Sequence, residues 1–213
     1  MIKGIIFDMD GTLIDSMGYW KQSGIEVINE MVKPRYPQLF KEHIPLNNVI
    51  ETMMENIDDQ KFLMEVLNTW YLVKMVKYYE KVDVKEGVIE FLNDCKDKGI
   101  KMCLATATPK DMALPVINRL GLEKYFDEIK TIDMGFRSKR FPDIYDYCLK
   151  QMCLNKDEVL VFEDTISPVK TLNSNNYKIV AVKDDASKHN EEEIKQLSNY
   201  FIESYKNLDI NKL

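Results

Sequence analysis

The sequence holds only two histidines, His43 and His189, in unrelated contexts. That scarcity argues against a Ser-His-Asp triad and against a multi-histidine zinc site, so proton transfer falls to carboxylates. Its four cysteines, Cys95, Cys103, Cys148 and Cys153, form no Cys-x-x-Cys pair. A reduced, cytoplasmic setting is expected, with Cys95 and Cys103 in the core. No apolar run approaches the ~18 residues that a membrane helix requires. The first residues also lack the charged, apolar and small segments of a secretory signal. Basic residues are in deficit, with 29 Lys and Arg against 35 Asp and Glu, so the net charge is −6. A nucleic-acid backbone demands clustered Lys and Arg, and no nucleic-acid partner is expected. A small phosphorylated ligand remains compatible, because a bound divalent cation inverts the local field. Internal repeats and low-complexity tracts are absent too.

What is present begins with Ile5-Ile6-Phe7, an apolar run that ends in two carboxylates, Asp8 and Asp10, one residue apart. Short β-branched runs read as buried strands, and residues two apart on a strand point the same way. Both carboxylates are therefore expected at the strand's carboxyl end, with Gly11 allowing a sharp turn after them. Two anions that close repel unless a cation or a reaction exploits them. The plainer reading is a strand followed by an Asp-Gly turn.

Further along, Asp15-Ser16 offers an N-cap for a helix over 17–32, broken by Lys33-Pro34-Arg35-Tyr36-Pro37. A short helix near 38–41 and helices over 47–56 and 59–79 complete a strandless stretch. The last of these carries Phe62, Val66, Leu67, Trp70, Val73 and Val76 at mixed spacings of three and four. From Val84 the pattern becomes alternating. Helices are expected over 86–98, from Thr108-Pro109 to about 120, and over 142–152, 168–175 and 191–197. Strands are expected over 101–106, 128–132, 158–162, 178–182 and 200–202, and the end from Asn207 is expected to fray. Such alternation argues for an α/β fold with a doubly wound parallel sheet. The expected division is a core of residues 1–15 and 81–213 with an inserted helical domain over 16–80.

In an open parallel sheet, ligands bind beyond the carboxyl ends of the strands. Three expected strand ends carry polar groups: Asp8 with Asp10, Thr106, and Glu163 with Asp164. Arg137, Lys139 and Arg140 follow the third strand. Each has a bland reading: a strand-ending Thr, a solvated Lys, an acidic turn. Together, two acidic strand ends make a hard-oxygen site suited to Mg²⁺, and a Thr hydroxyl with the next N–H and a Lys makes a phosphate grip.

These residues fall into four ordered motifs: Asp8-Met9-Asp10-Gly11-Thr12, Leu104-Ala105-Thr106, Lys139 before Pro142-Asp143-Ile144-Tyr145, and Val161-Phe162-Glu163-Asp164. In that order the chain resembles the haloacid dehalogenase-like hydrolases, in the branch of β-phosphoglucomutase and phosphoglycolate phosphatase. The resemblance implies a core with an inserted all-helical cap domain that closes over the site. It implies that Asp8 forms an aspartyl-phosphate and that Asp10 serves as acid and then base. It implies Mg²⁺ on the Asp8 carboxylate, the Asp10 carbonyl and Asp164, with Glu163 close by. Thr106, the Ala107 N–H and Lys139 would hold the phosphoryl group. The dehalogenase branch normally lacks the second acid, so Asp10 points to phosphoryl chemistry.

Departures lie outside these groups. Ser138-Lys139-Arg140-Phe141 replaces the common Gly-Lys-Pro, and Pro168 and Asn175-Asn176 stand where glycines are usual. Trp20 occupies the region in which the mutase branch has a cap histidine. The expectation is thus a Mg²⁺-dependent phosphatase of a small phosphorylated metabolite, a monomer or weak dimer with no membrane partner. The alternatives are a sugar-phosphate mutase and a receiver-like phospho-acceptor; receivers lack an acid–base partner such as Asp10 and a helical cap.

Overall fold

The computed structural model describes residues 1–40 and 52–213. Packing divides the chain into two units, Met1–Asp15 with Val82–Leu213, and Ser16–Lys81. The first unit is built on a six-stranded parallel sheet: β1 (Gly4–Phe7), β2 (Lys101–Thr106), β3 (Glu128–Thr131), β4 (Val159–Glu163), β5 (Lys178–Val182) and β6 (Tyr200–Ile202). Their spatial order is β3-β2-β1-β4-β5-β6. The chain runs outward from β1 in both directions, so the switch point lies between β1 and β4, as the doubly wound reading requires.

The central strands are buried on both faces, and accordingly their sequences are continuous apolar runs. On one face Phe7 and Phe162 pack 4.9 Å apart, with Phe91 of the helix Val88–Asp97 at 6.3 Å from Phe7. On the other, Ile6, Cys103, Val161 and Ile179 meet Ile144 and Cys148 of the helix Asp143–Met152 and Val169 and Leu172 of the helix Ile166–Ser174. Burying the Phe7, Phe91 and Phe162 rings stabilises this unit by roughly 1.5–3 kcal/mol each. At the edge, β3 alternates Glu128 and Lys130 with Ile129 and Thr131, and the two charges pair at 2.7 Å. Charged edges discourage pairing with another chain.

The described residues of the second unit form helices joined by short non-helical links, with no strand among them. Asp59 caps the helix Gln60–Asn68, its carboxylate accepting from the Phe62 N–H at 3.0 Å. That helix continues through a wide π turn, Thr69–Met75, into Val76–Tyr79. Trp70 donates its indole N–H to Ser23 Oγ at 2.9 Å, and a Cβ on Gly24 would lie 2.6 Å from the Trp70 ring. Gly24 is therefore what lets the helix Met17–Val27 approach this ring.

Several expectations are corrected. The helix expected to break at Lys33 passes through a π segment, Ile28–Val32, into Lys33–Arg35, and ends at Tyr36 before Pro37. Pro34 sits directly after the π segment, in the Lys33–Arg35 turn. Val73 and Val76 are exposed rather than packed. The helix expected from Glu86 starts at Val88, because Gly87 adopts φ +84° against Tyr205 and Lys206. The helix expected from Pro168 starts at Ile166. The end does not fray: Tyr205 and Ile210 are buried, and Tyr200 donates to the Leu213 carbonyl. Residues 52–56 are helical and Pro37–Phe40 form a 3-10 turn. His43, Pro45 and the remainder of the helices expected near 38–41 and over 47–56 lie outside the described residues. Among the described residues, no helix is long and apolar enough to cross a membrane.

Candidate active site

The first, second and fourth strands end side by side and deliver the polar residues from three distant stretches of sequence. Asp8 follows β1, its N–H bonded to the Phe162 carbonyl of β4 at 3.0 Å. Gly11, at φ +78°, turns the chain back. Its N–H meets the Ile14 carbonyl at 3.0 Å, and the Met9 carbonyl accepts from Leu13 and Ile14. This tight loop directs the Thr12 hydroxyl to Asp164 Oδ1 at 3.2 Å.

Oxygens of Asp8, Glu163 and Asp164 all lie within 4.8 Å of one another, and all three residues are buried. Lys139 is buried with them, donating to Asp8 and to Glu163 Oε1, the latter at 2.6 Å. The same Glu163 oxygen accepts from the Tyr145 hydroxyl at 2.5 Å. Asp164 Oδ2 is buried without a hydrogen-bond partner among the described atoms.

The electrostatics follow from burial. Desolvation pushes Asp8 up to about 7 despite the pull of Lys139, and repulsion from Glu163 adds to the rise. Asp164 is driven well above the usual carboxylate range by burial, then by Asp8 and Glu163. Burial works against the Lys139 ammonium, but Asp8 and Glu163 outweigh it and raise its pKa. Both shifts are upward for different reasons: burial outweighs the pull of Lys139 on Asp8, and the two carboxylates outweigh burial at Lys139. Burial and Glu163 likewise keep the Tyr145 phenol protonated. Three carboxylates, one orphaned oxygen and a single ammonium beside them make a donor set that fits a hard divalent cation.

Asp10 stands apart from this oxygen cluster. Its Oδ2 accepts from the Thr108 hydroxyl at 2.7 Å, and its exposure is intermediate. Thr106 is buried at the end of β2, its hydroxyl accepting from the Thr108 N–H at 3.0 Å. Ala107 is exposed at the turn between them. The basic cluster separates: Lys139 turns inward, Arg137 pairs with Asp143 at 3.2 Å and lies 3.9 Å over the Phe141 ring, and Arg140 is exposed. Trp20 joins an aromatic group with Trp70, Tyr71 and Tyr79 in the helical unit.

Three residues of this site escaped the sequence. Thr108 reads as a helix cap because Pro109 follows; in the structure Pro109 itself holds the cap position of the helix Lys110–Arg119. Tyr145 reads only as part of the helix start Pro142-Asp143-Ile144-Tyr145, with no role of its own. Thr12 reads as a turn residue. Each carries a hydroxyl in a buried position, and only the partner across the sheet distinguishes it.

Residues 5–182 match a family model described as haloacid dehalogenase-like hydrolase. A phosphorylated carbohydrates phosphatase of Thermotoga maritima is 31% identical over 175 residues, 81% of this chain and 81% of that protein. A phosphoglycolate phosphatase of Pseudomonas fluorescens is 25% identical, covering 84% of this chain and 68% of its own. A crystal structure from Thermotoga maritima, assigned provisionally as a β-phosphoglucomutase, superposes with TM-score 0.71 at 26% identity over 99% of both chains.

Proposed function

The chain belongs to the haloacid dehalogenase-like hydrolases, in the branch of β-phosphoglucomutase and phosphoglycolate phosphatase, and on that premise we propose that it is a Mg²⁺-dependent phosphatase of a small phosphorylated metabolite. The observation that carries this reading is the asymmetry of the two leading carboxylates. Asp8 is buried among Lys139, Glu163 and Asp164, whereas Asp10 is held separately by Thr108. That asymmetry supports Asp8 as the nucleophile and Asp10 as the proton carrier.

In this mechanism an Asp8 carboxylate oxygen attacks phosphorus and the bond to the leaving oxygen breaks. Asp10, entering as the acid, gives its proton to that oxygen, and an alcohol departs. Asp10 then takes a proton from water as the water attacks the aspartyl-phosphate, and Asp8 is regenerated as inorganic phosphate leaves. Lys139 spends two of its three N–H donors on Asp8 and Glu163, and its third supports a contact to the phosphoryl group. The Thr106 hydroxyl accepts from Thr108 and keeps its own proton to donate, next to the Ala107 N–H. Mg²⁺ would be held by Asp8, Asp164 and the Asp10 carbonyl with Glu163 close by, and when bound it neutralises charge on the transferring group. The helical unit is proposed as the substrate-selecting cap.

The four unbridged cysteines support a reducing, cytoplasmic setting, and the net charge of −6 supports a protein with no nucleic-acid partner. Trp20, where the mutase branch has a histidine, favours hydrolysis over mutase turnover. The test is phosphate release with Mg²⁺ over sugar phosphates, nucleotides and phosphoglycolate, comparing the native chain with Asp8→Asn. Loss of turnover in Asp8→Asn is expected. Substantial residual release would sink the covalent mechanism, and conversion of β-glucose 1-phosphate to glucose 6-phosphate with little free phosphate would establish the mutase instead.

A further inference from the structure

Asp10 must present its carboxyl group to the leaving oxygen, and the hydroxyl of Thr108 donates to that group, 2.7 Å from Asp10 Oδ2. Thr108 is itself held firmly. It is 4% exposed, its N–H is bonded to Thr106 Oγ1 at 3.0 Å, and the following Pro109 lies at φ −58°. A residue before proline is restricted in its backbone, and a β-branched side chain is stiff at χ1. The hydroxyl is therefore presented from β2 in a narrow range of directions. Because β2 is the parallel neighbour of β1, with Phe7 opposite Leu104, the same ladder that aligns the strands sets Thr108 beside Asp10.

We propose that Thr108 is a positioning residue that aims the Asp10 carboxyl at the leaving oxygen, and this inference rests on the phosphatase reading above. Thr108 touches Asp10 and acts through it. Its removal should therefore harm proton delivery to a poor leaving group more than any step that needs no proton. Thr108→Val keeps the shape and deletes the donor; Thr108→Ser keeps the donor.

The test measures kcat/KM with Mg²⁺ on two aryl esters of one shape, phenyl phosphate and p-nitrophenyl phosphate, whose nitrophenolate leaves without being protonated. General acid catalysis contributes about 10²–10⁴-fold, and displacement of the acid in Thr108→Val should forfeit about tenfold of it on phenyl phosphate. On p-nitrophenyl phosphate the loss should be about twofold or less, and Thr108→Ser should restore phenyl phosphate turnover. Equal losses on both esters would overturn the proposal, as would a raised KM at unchanged kcat, which would mean that Thr108 touches substrate. Full activity in Thr108→Val while Asp10→Asn is inactive would overturn it and leave the phosphatase reading intact. A native chain inert toward both esters and toward the wider phosphate screen would overturn both.

Discussion

Replacing Lys139 with Met removes the ammonium bonded to Asp8 and Glu163 while keeping most of the side chain's length. The Lys139 nitrogen lies 2.6 Å from Glu163 Oε1 and is also bonded to Asp8. At an effective dielectric of about 20, a contact of that length is worth about 6 kcal/mol of attraction, much of it offset by desolvation. Removing one member of a buried pair typically costs about 3–5 kcal/mol, because the partner charge is left uncompensated. The loss should depend on pH. Asp8 is pushed up to about 7 in the fold against an ordinary 3.8, so between those values the folded state holds the extra proton. Stability without metal is therefore fullest below pH ~4 and declines as pH rises toward 7, by about 4 kcal/mol from this group. Without Lys139 the carboxylates ionise at greater cost, so the gap between the native chain and Lys139→Met should be small at pH 5. At pH 8 it should reach about 3–5 kcal/mol. Urea unfolding followed by circular dichroism in a chelator measures both. A gap of equal size at the two pH values would show that Lys139 contributes only the packing of its stem, and the electrostatic account of the cluster would fail.

Mg²⁺ at a hundred times its dissociation constant should stabilise the native chain by about 2.7 kcal/mol, read as a rise in melting temperature. Asp164→Asn, which alters the residue with the orphaned oxygen, should lose most of that rise; a full rise in the variant would remove Asp164 from the metal site. Gly24→Ala should destabilise the helical unit by about 1–2 kcal/mol, since overpacking against Trp70 outweighs about 1 kcal/mol of helix propensity. Unfolding followed by tryptophan fluorescence reads this directly, and a stabilised variant would refute the close contact.

Much of the sheet was legible because each central strand is buried on both faces and so must be written as an unbroken apolar run. Gly4–Phe7, Lys101–Thr106 and Val159–Glu163 are such runs, and the acidic or hydroxyl residues at their ends mark the carboxyl edge. The helical unit was less legible. Its π turns shift the spacing that periodicity relies on: of the apolar positions spaced at three and four, Phe62, Val66 and Trp70 are buried, whereas Val73 and Val76 face solvent. The start of the helix at Val88 was hidden because Gly87 answers to a backbone approach from Tyr205 and Lys206, more than a hundred residues away.

The candidate site divides along the same line. Residue order singled out Asp8, Asp10, Thr106, Lys139, Glu163 and Asp164 as candidates, because strand ends and side-chain chemistry are local properties of the chain. Pairing was not local. That Lys139 bonds both Asp8 and Glu163, that Tyr145 joins it there, and that Thr12 holds Asp164 all required β1, β2 and β4 to lie side by side. The Asp8-Met9-Asp10 spacing presents two chemically equivalent carboxylates. Tertiary structure alone separates them, sinking Asp8 into a low-dielectric cluster of charges and leaving Asp10 half exposed against the hydroxyl of Thr108.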